Sequence, residues 1–238
     1  MDYKFIYLAR RNPSIRLEDW PATWLSHANF AGQFPMIRPN FRSVHYCTRV
    51  LTPTIRGALF DPPGASREFD GAAIVSCPAI EGLNIEVPPD IRARIDIDEM
   101  RVFSTVTPNF SFKGKEELVH GGTPGYTAVI RFLVRKSGST PDEFHKHWSK
   151  RHADIARTAA DASGTVKRYV HNSLLEEPPR AYKFDGIAET WFTNVDDAVR
   201  SFVDEAFTPA TEDLPNFCDM DRTVTLLTQA IRCWPDTD

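Results

Sequence analysis

The chain has 238 residues, 42% of them apolar and 25% charged, with a net charge of −4 at neutral pH. That length suits one large domain or two small ones, and the charge excludes a global basic field for nucleic acid. No run approaches the roughly 18 apolar residues that a membrane helix needs. The opening Met1-Asp2-Tyr3-Lys4-Phe5-Ile6 has no signal-peptide core, so a cytoplasmic protein without nucleic-acid or membrane partners is expected. Cys47, Cys77, Cys218 and Cys233 lack zinc-ribbon or redox-pair spacing and read as reduced, buried thiols.

In chain order, a strand-like run Phe5-Ile6-Tyr7-Leu8-Ala9-Arg10 is followed by a helix signal with Trp20, Trp24 and then His27-Ala28. Val44-His45-Tyr46 and Phe69-Asp70-Gly71-Ala72-Ala73 come next. Residues 77–103 carry Pro78, Pro88 and Pro89 and read as irregular, and Pro108-Asn109-Phe110 follows. His120-Gly121-Gly122-Thr123-Pro124-Gly125 is a short Gly-rich joint, which divides the chain into units 1–122 and 123–238.

The second unit repeats this order. Residues 126–135 are rich in β-branched and aromatic side chains, and Thr140-Pro141-Asp142-Glu143 marks a helix start with Pro at its first position. Phe144 and Trp148 precede His152-Ala153. Strands are predicted over 166–174 and 183–192, joined by a Pro178-Pro179 connection, then a helical pattern over 194–207 and a last strand over 224–234. Lys167-Arg168-Tyr169 aligns by eye with Val44-His45-Tyr46, Phe184-Asp185-Gly186 with Phe69-Asp70-Gly71, and Pro215-Asn216-Phe217 with Pro108-Asn109-Phe110. Each unit thus reads βαββαβ, an α+β arrangement with four antiparallel strands and both helices on one face.

An aromatic-x3-Trp helix, His-Ala within the next few residues and an Arg-Tyr strand resemble the EthD group of dimeric α+β barrel proteins. The second unit carries the resemblance best, and His27 lies one residue closer to Trp24 than His152 does to Trp148. The resemblance implies two ferredoxin-like repeats in one chain, joining their sheets into an intramolecular barrel, with a homodimer of chains left open. It also implies a pocket between helices and sheet. The superfamily includes isomerases, cofactor-free monooxygenases, polyketide cyclases, decarboxylases or dehydratases, and haem enzymes, so fold alone does not choose a reaction.

On a helical wheel, Phe144, Trp148, Ile155 and Ala159 share one face and His152 lies within about 40° of its centre. His145 lies about 60° and His147 about 100° away, and no pair of histidines has α-helical metal spacing. Tyr169 and His171 point to one side of their strand. Histidine can move a proton near neutrality, and a tyrosine hydroxyl can donate to a developing oxyanion. These residues give the expected catalytic set His152, Tyr169 and His171, with Phe144, Trp148, Trp24, His27 and Tyr46 contacting substrate. A core histidine bonded to a backbone carbonyl is the competing structural role.

Nucleotide-loop and nucleophile-elbow motifs are absent from the sequence. Neither a metal nor another cofactor is expected. The acidic cluster Asp96-Asp98-Glu99 and the pair Asp196-Asp197 read as solvated helix starts. The expected function is a cofactor-independent lyase acting by acid–base chemistry on a hydrophobic, aromatic small molecule. An isomerase or cyclase, a cofactor-free monooxygenase and a non-catalytic small-molecule binder are the alternatives.

Overall fold

A computed structural model describes residues 2–234, apart from the side chain of Cys233. Strands β1 (Tyr3–Ala9), β2 (Ser43–Arg49), β5 (Gly71–Cys77) and β6 (Ser111–Gly121) form the first unit with helices α1 (Trp20–Ala31) and α2 (Pro89–Val102). A two-stranded ribbon, β3 (Thr54–Ile55) and β4 (Ala58–Leu59), is inserted in it. The second unit holds β7 (Thr127–Leu133), β8 (Val166–Leu174), β9 (Gly186–Phe192) and β10 (Val224–Trp234). Its helices are α3 (Pro141–Lys146), α4 (Ala153–Ser163), α5 (Val195–Arg200) and α6 (Thr208–Phe217). A π turn over His147–His152 joins α3 to α4.

The strands close into one barrel in the order β1-β5-β2-β10-β7-β9-β8-β6. All its neighbours are antiparallel, and the two seams are β10 with β2 and β6 with β8. Alternation sorts the side chains. One face of each strand fills the barrel with Ile6, Leu8, Ile74, Ile130, Phe132 and Leu226. The other face receives the helices, with Trp20, Trp24 and Phe103 in the first unit and Phe144, Trp148 and Phe217 in the second.

At one end the barrel interior turns polar. Lys4 lies 2.8 Å from Glu116 and 3.6 Å from Glu189, while Arg168 also pairs with Glu116. Asn172 Nδ2 and Trp191 Nε1 donate to Glu189 at 2.8 and 2.9 Å. Buried charges must be paired to be tolerable, and this set pairs them across the β6–β8 seam.

The internal repeat has a physical basis. Arg11 N donates to Asp70 at 2.9 Å and Arg135 N to Asp185 at 2.8 Å, so both Asp-Gly corners are tied to the end of the first strand of their unit. A side chain at Gly71 would meet the Trp24 ring at 3.0 Å, and one at Gly186 would meet Trp148 at 2.3 Å. Each glycine therefore makes room for the tryptophan of the facing helix.

Several expectations need correction. Residues 77–103 contain α2, because Pro88 and Pro89 occupy its N-cap and first position, where a missing N–H costs nothing. Asp96, Asp98 and Glu99 lie in the later turns of α2, not at a solvated start, and Glu99 is buried and accepts from Thr107 N and Oγ1, both at 2.7 Å. The helical pattern over 194–207 breaks after Arg200, and a further helix, α6, runs through Pro215-Asn216-Phe217. Pro108-Asn109-Phe110 is not its equivalent. Lys136 N bonds Phe217 O where Asn12 N bonds Val102 O, so Val102 holds the place of Phe217.

Candidate functional site

A cavity of about 60 Å³ lies between the second unit's sheet and its helices. His152, Tyr169, Arg131, Phe202, Phe207 and Leu214 are among its walls. His152 comes from the π turn, Tyr169 from β8 and Arg131 from β7.

His152 is buried, and its Nδ1 lies 3.0 Å from Asp213 Oδ2 on α6. The partner is a carboxylate and not a backbone carbonyl. A carboxylate accepts only, so the bond places a proton on Nδ1 and leaves Nε2 with a lone pair. Burial pulls the His152 pKa down to about 4, against the raising effect of Asp213, so the ring is neutral at physiological pH. Asp213 is itself pushed up by burial, but hydrogen bonds from Asn216, His147 and His152 outweigh this and keep it ionised.

His147 also reaches Asp213, with Nε2 at 3.0 and 3.1 Å from its two oxygens, and stacks on Phe217. The α-helical wheel had turned it away. His152 lies five positions after His147, and a π turn, with its i→i+5 bonding, brings that spacing onto one side. The same extra residue explains why His152 follows Trp148 at a longer interval than His27 follows Trp24.

Tyr169 and His171 share the helix-facing side of β8, with His171 Nε2 2.8 Å from the Tyr169 hydroxyl oxygen. Burial lowers the His171 pKa well below its ordinary value and raises that of Tyr169, so both are neutral. His171 Nδ1 is buried without a hydrogen-bond partner among the described residues. A proton on Nε2 avoids stranding an N–H there, and the Tyr169 O–H is then left to donate toward the cavity. His171 stands behind Tyr169 and stacks on Trp148 at 4.2 Å, outside the cavity wall. Phe144 and Trp148 are likewise core and do not line it.

The first unit keeps half of this arrangement. His27 Nδ1 lies 2.7 Å from Asp98 Oδ2, the counterpart of the His152–Asp213 pair. Strand register then separates the two units. Tyr46 pairs with Ala73 and His171 with Ala188, while Val44 pairs with Val75 and Tyr169 with Thr190. Measured from Gly71 and Gly186, Tyr46 occupies the place of His171, and Val44 that of Tyr169. The Tyr46–Tyr169 match in the sequence is therefore two residues out of step. Tyr7, opposite Ala73, stands where the second unit has Arg131 opposite Ala188. Trp24 is buried and donates to the Tyr7 hydroxyl at 3.2 Å, and Phe103 lies 5.5 Å from the His27 ring. A cavity of about 50 Å³ in this unit includes Tyr46, Arg38 and Trp234 but not His27.

Two site residues were not foreseen. Arg131 is a charge in the middle of an otherwise uncharged strand, Thr-Ala-Val-Ile-Arg-Phe-Leu, and that oddity was the available signal. Asp213 had none, since its role depends on α6 packing beside the π turn. Among the described residues no cluster of His, Cys, Asp and Glu has a metal-binding arrangement.

Residues 136–221 match the EthD domain family. No curated protein matches the chain in sequence. Over its whole length the chain is similar to solved structures of low identity. An anthrone oxidase-like protein is 9% identical with a TM-score of 0.63, covering 98% of this chain and 92% of that one. A candidate monooxygenase from Fusobacterium nucleatum is 7% identical with a TM-score of 0.57 and the same coverage. A haem-binding protein from Thermus thermophilus is 9% identical with a TM-score of 0.52, covering 97% and 91%. Residues 136–221 therefore resemble an EthD domain, and the chain has the dimeric α+β barrel fold throughout.

Proposed function

We propose that this EthD-domain barrel is a cofactor-independent enzyme, a lyase acting on a small hydrophobic, aromatic molecule in the cavity of its second unit. The observation that carries the reading is convergence on one cavity. His152 reaches it with Asp213 behind, and Tyr169 reaches it with His171 behind. Structural histidines need one partner, whereas two polar groups each held by a further partner and facing the same space form an acid–base pair.

In this reading His152 Nε2 removes a proton from substrate, and Asp213 stabilises the imidazolium that forms. The Tyr169 hydroxyl donates to the oxygen on which negative charge develops. Expulsion of a leaving group from the resulting enolate or phenolate completes an elimination, and His152 returns its proton. Low surrounding dielectric strengthens these contacts, and Phe202, Phe207 and Leu214 supply it.

The test is turnover of candidate aromatic substrates by purified protein. His152→Gln is expected to lower it by about 10² to 10⁴, and Tyr169→Phe by less, mainly in kcat. His27→Ala is expected to leave turnover near normal. If His152→Gln retains full activity, the acid–base assignment fails. Product analysis separates lyase from isomerase chemistry, since only the former yields two products.

A further inference from the structure

Arg131 is the one charged side chain on the cavity wall apart from the neutral-at-rest His152, and no carboxylate lines the cavity. Among the described residues it forms no ion pair, and its guanidinium instead lies 5.7 Å from the Phe202 ring. Partly buried arginines elsewhere divide: Arg11, Arg135 and Arg168 pair with Asp70, Asp185 and Glu116, whereas Arg232 on β10 bonds the side-chain oxygen of Asn29. The carboxylate behind the cavity wall, Asp213, is committed to His147, His152 and Asn216. A guanidinium drawn out of water is stabilised by an anion beside it. Here the fold does not provide one, and Tyr7 in the first unit shows that the strand position tolerates a neutral residue.

We infer that the ligand of this cavity carries a carboxylate, received by Arg131, on an apolar or aromatic body that rests against Phe202 and Phe207. The inference rests on the reading of this cavity as a substrate site, and it adds the substrate class. A single cation balances a single negative charge, which favours a monoanion over a phosphate. A planar guanidinium matches the two oxygens of a carboxylate through parallel N–H donors. Hydroxyls of Thr190 and Thr211 on the same wall can serve the remaining lone pairs.

The experiment is a binding titration of the full chain with sodium benzoate, followed by tryptophan fluorescence and by the shift in melting temperature. Benzamide and benzyl alcohol are neutral controls of similar size. Benzoate is expected to bind saturably and roughly tenfold or more tighter than either control, and Arg131→Gln is expected to remove that preference. Arg131→Lys should keep part of it, because charge remains while the fork is lost. Benzamide binding and far-UV circular dichroism check that Arg131→Gln is folded. His152→Gln should still prefer benzoate, so a failed proton-transfer assignment and a failed carboxylate assignment give different results. Equal binding of benzoate and benzamide, absence of saturable benzoate binding, or an unchanged preference in Arg131→Gln would overturn the inference.

Discussion

In the proposed mechanism His152 and the Asp213 carboxylate act as a unit, so the partner can be tested apart from the base. Asp213→Asn keeps size and a hydrogen-bonding group but can present an N–H to Nδ1. That destabilises both the required tautomer and the imidazolium. Turnover is expected to fall by about 10² to 10⁴ in steady-state assays while benzoate binding stays within a few-fold. Buried histidines also set the response to acid. His152 and His45 are each lowered to about 4, and His171 lies well below its ordinary value, all chiefly by burial. An unfolded histidine takes up a proton near pH 6.5 whereas these folded ones do not, so stability is full above that pH and falls as pH drops toward 4. Between pH 7 and 5.5 each should cost about 1 kcal/mol. His45→Gln should remove about that much from the pH dependence in urea titrations, and an unchanged slope would show that His45 titrates normally. Much of the residue-level site was legible: His152, Tyr169 and His171 followed from periodicity within single elements. Asp213 was not, because its contact joins segments 61 residues apart.

Among the elements, the tryptophan seated on a glycine has the sharpest consequence. Gly186→Ala would drive a methyl group to 2.3 Å from the Trp148 ring, which also stacks on His171. Overpacking of this kind costs about 1 to 3 kcal/mol. Urea unfolding should show that loss, with a shifted Trp emission spectrum; a variant as stable as the parent would mean that the ring moves freely. Strands were the most readable elements, since apolar alternation marks them locally, and β8 and β10 begin and end where the pattern did. Helices were less so. Proline counts hid α2, although Pro88 and Pro89 only start it, and Pro215 hid α6, although it sits in the final turn. The π turn was unreadable from an α-helical wheel, but the extra residue between Trp148 and His152 was its trace.

At the scale of the molecule, each unit lends an outer strand to the other. β10 pairs with β2 and β6 with β8, so separating the units would expose two strand edges on each and open the polar end around Glu116 and Glu189. Unpaired edges and buried charges without partners are both costly. Fragments 1–122 and 123–238, expressed apart, are expected to be unfolded or aggregated alone and to recover native circular dichroism and a one-to-one complex when refolded together. A fragment that is folded and monomeric by itself would contradict this account of the barrel. No helix among the described residues is long and apolar enough to cross a membrane.

Fusing two repeats into one chain also changes what a single substitution can do. In a symmetric dimer of identical subunits any exchange alters both pockets at once, so a residue useful in one must be acceptable in the other. Here Val44 could stand in one unit and Tyr169 in the other, Tyr7 in one and Arg131 in the other. On the proposed function, one half serves as the support on which its neighbour's chemistry is mounted. Ligand binding should then saturate at one molecule per chain along a simple hyperbola, without the cooperativity that paired equal sites allow.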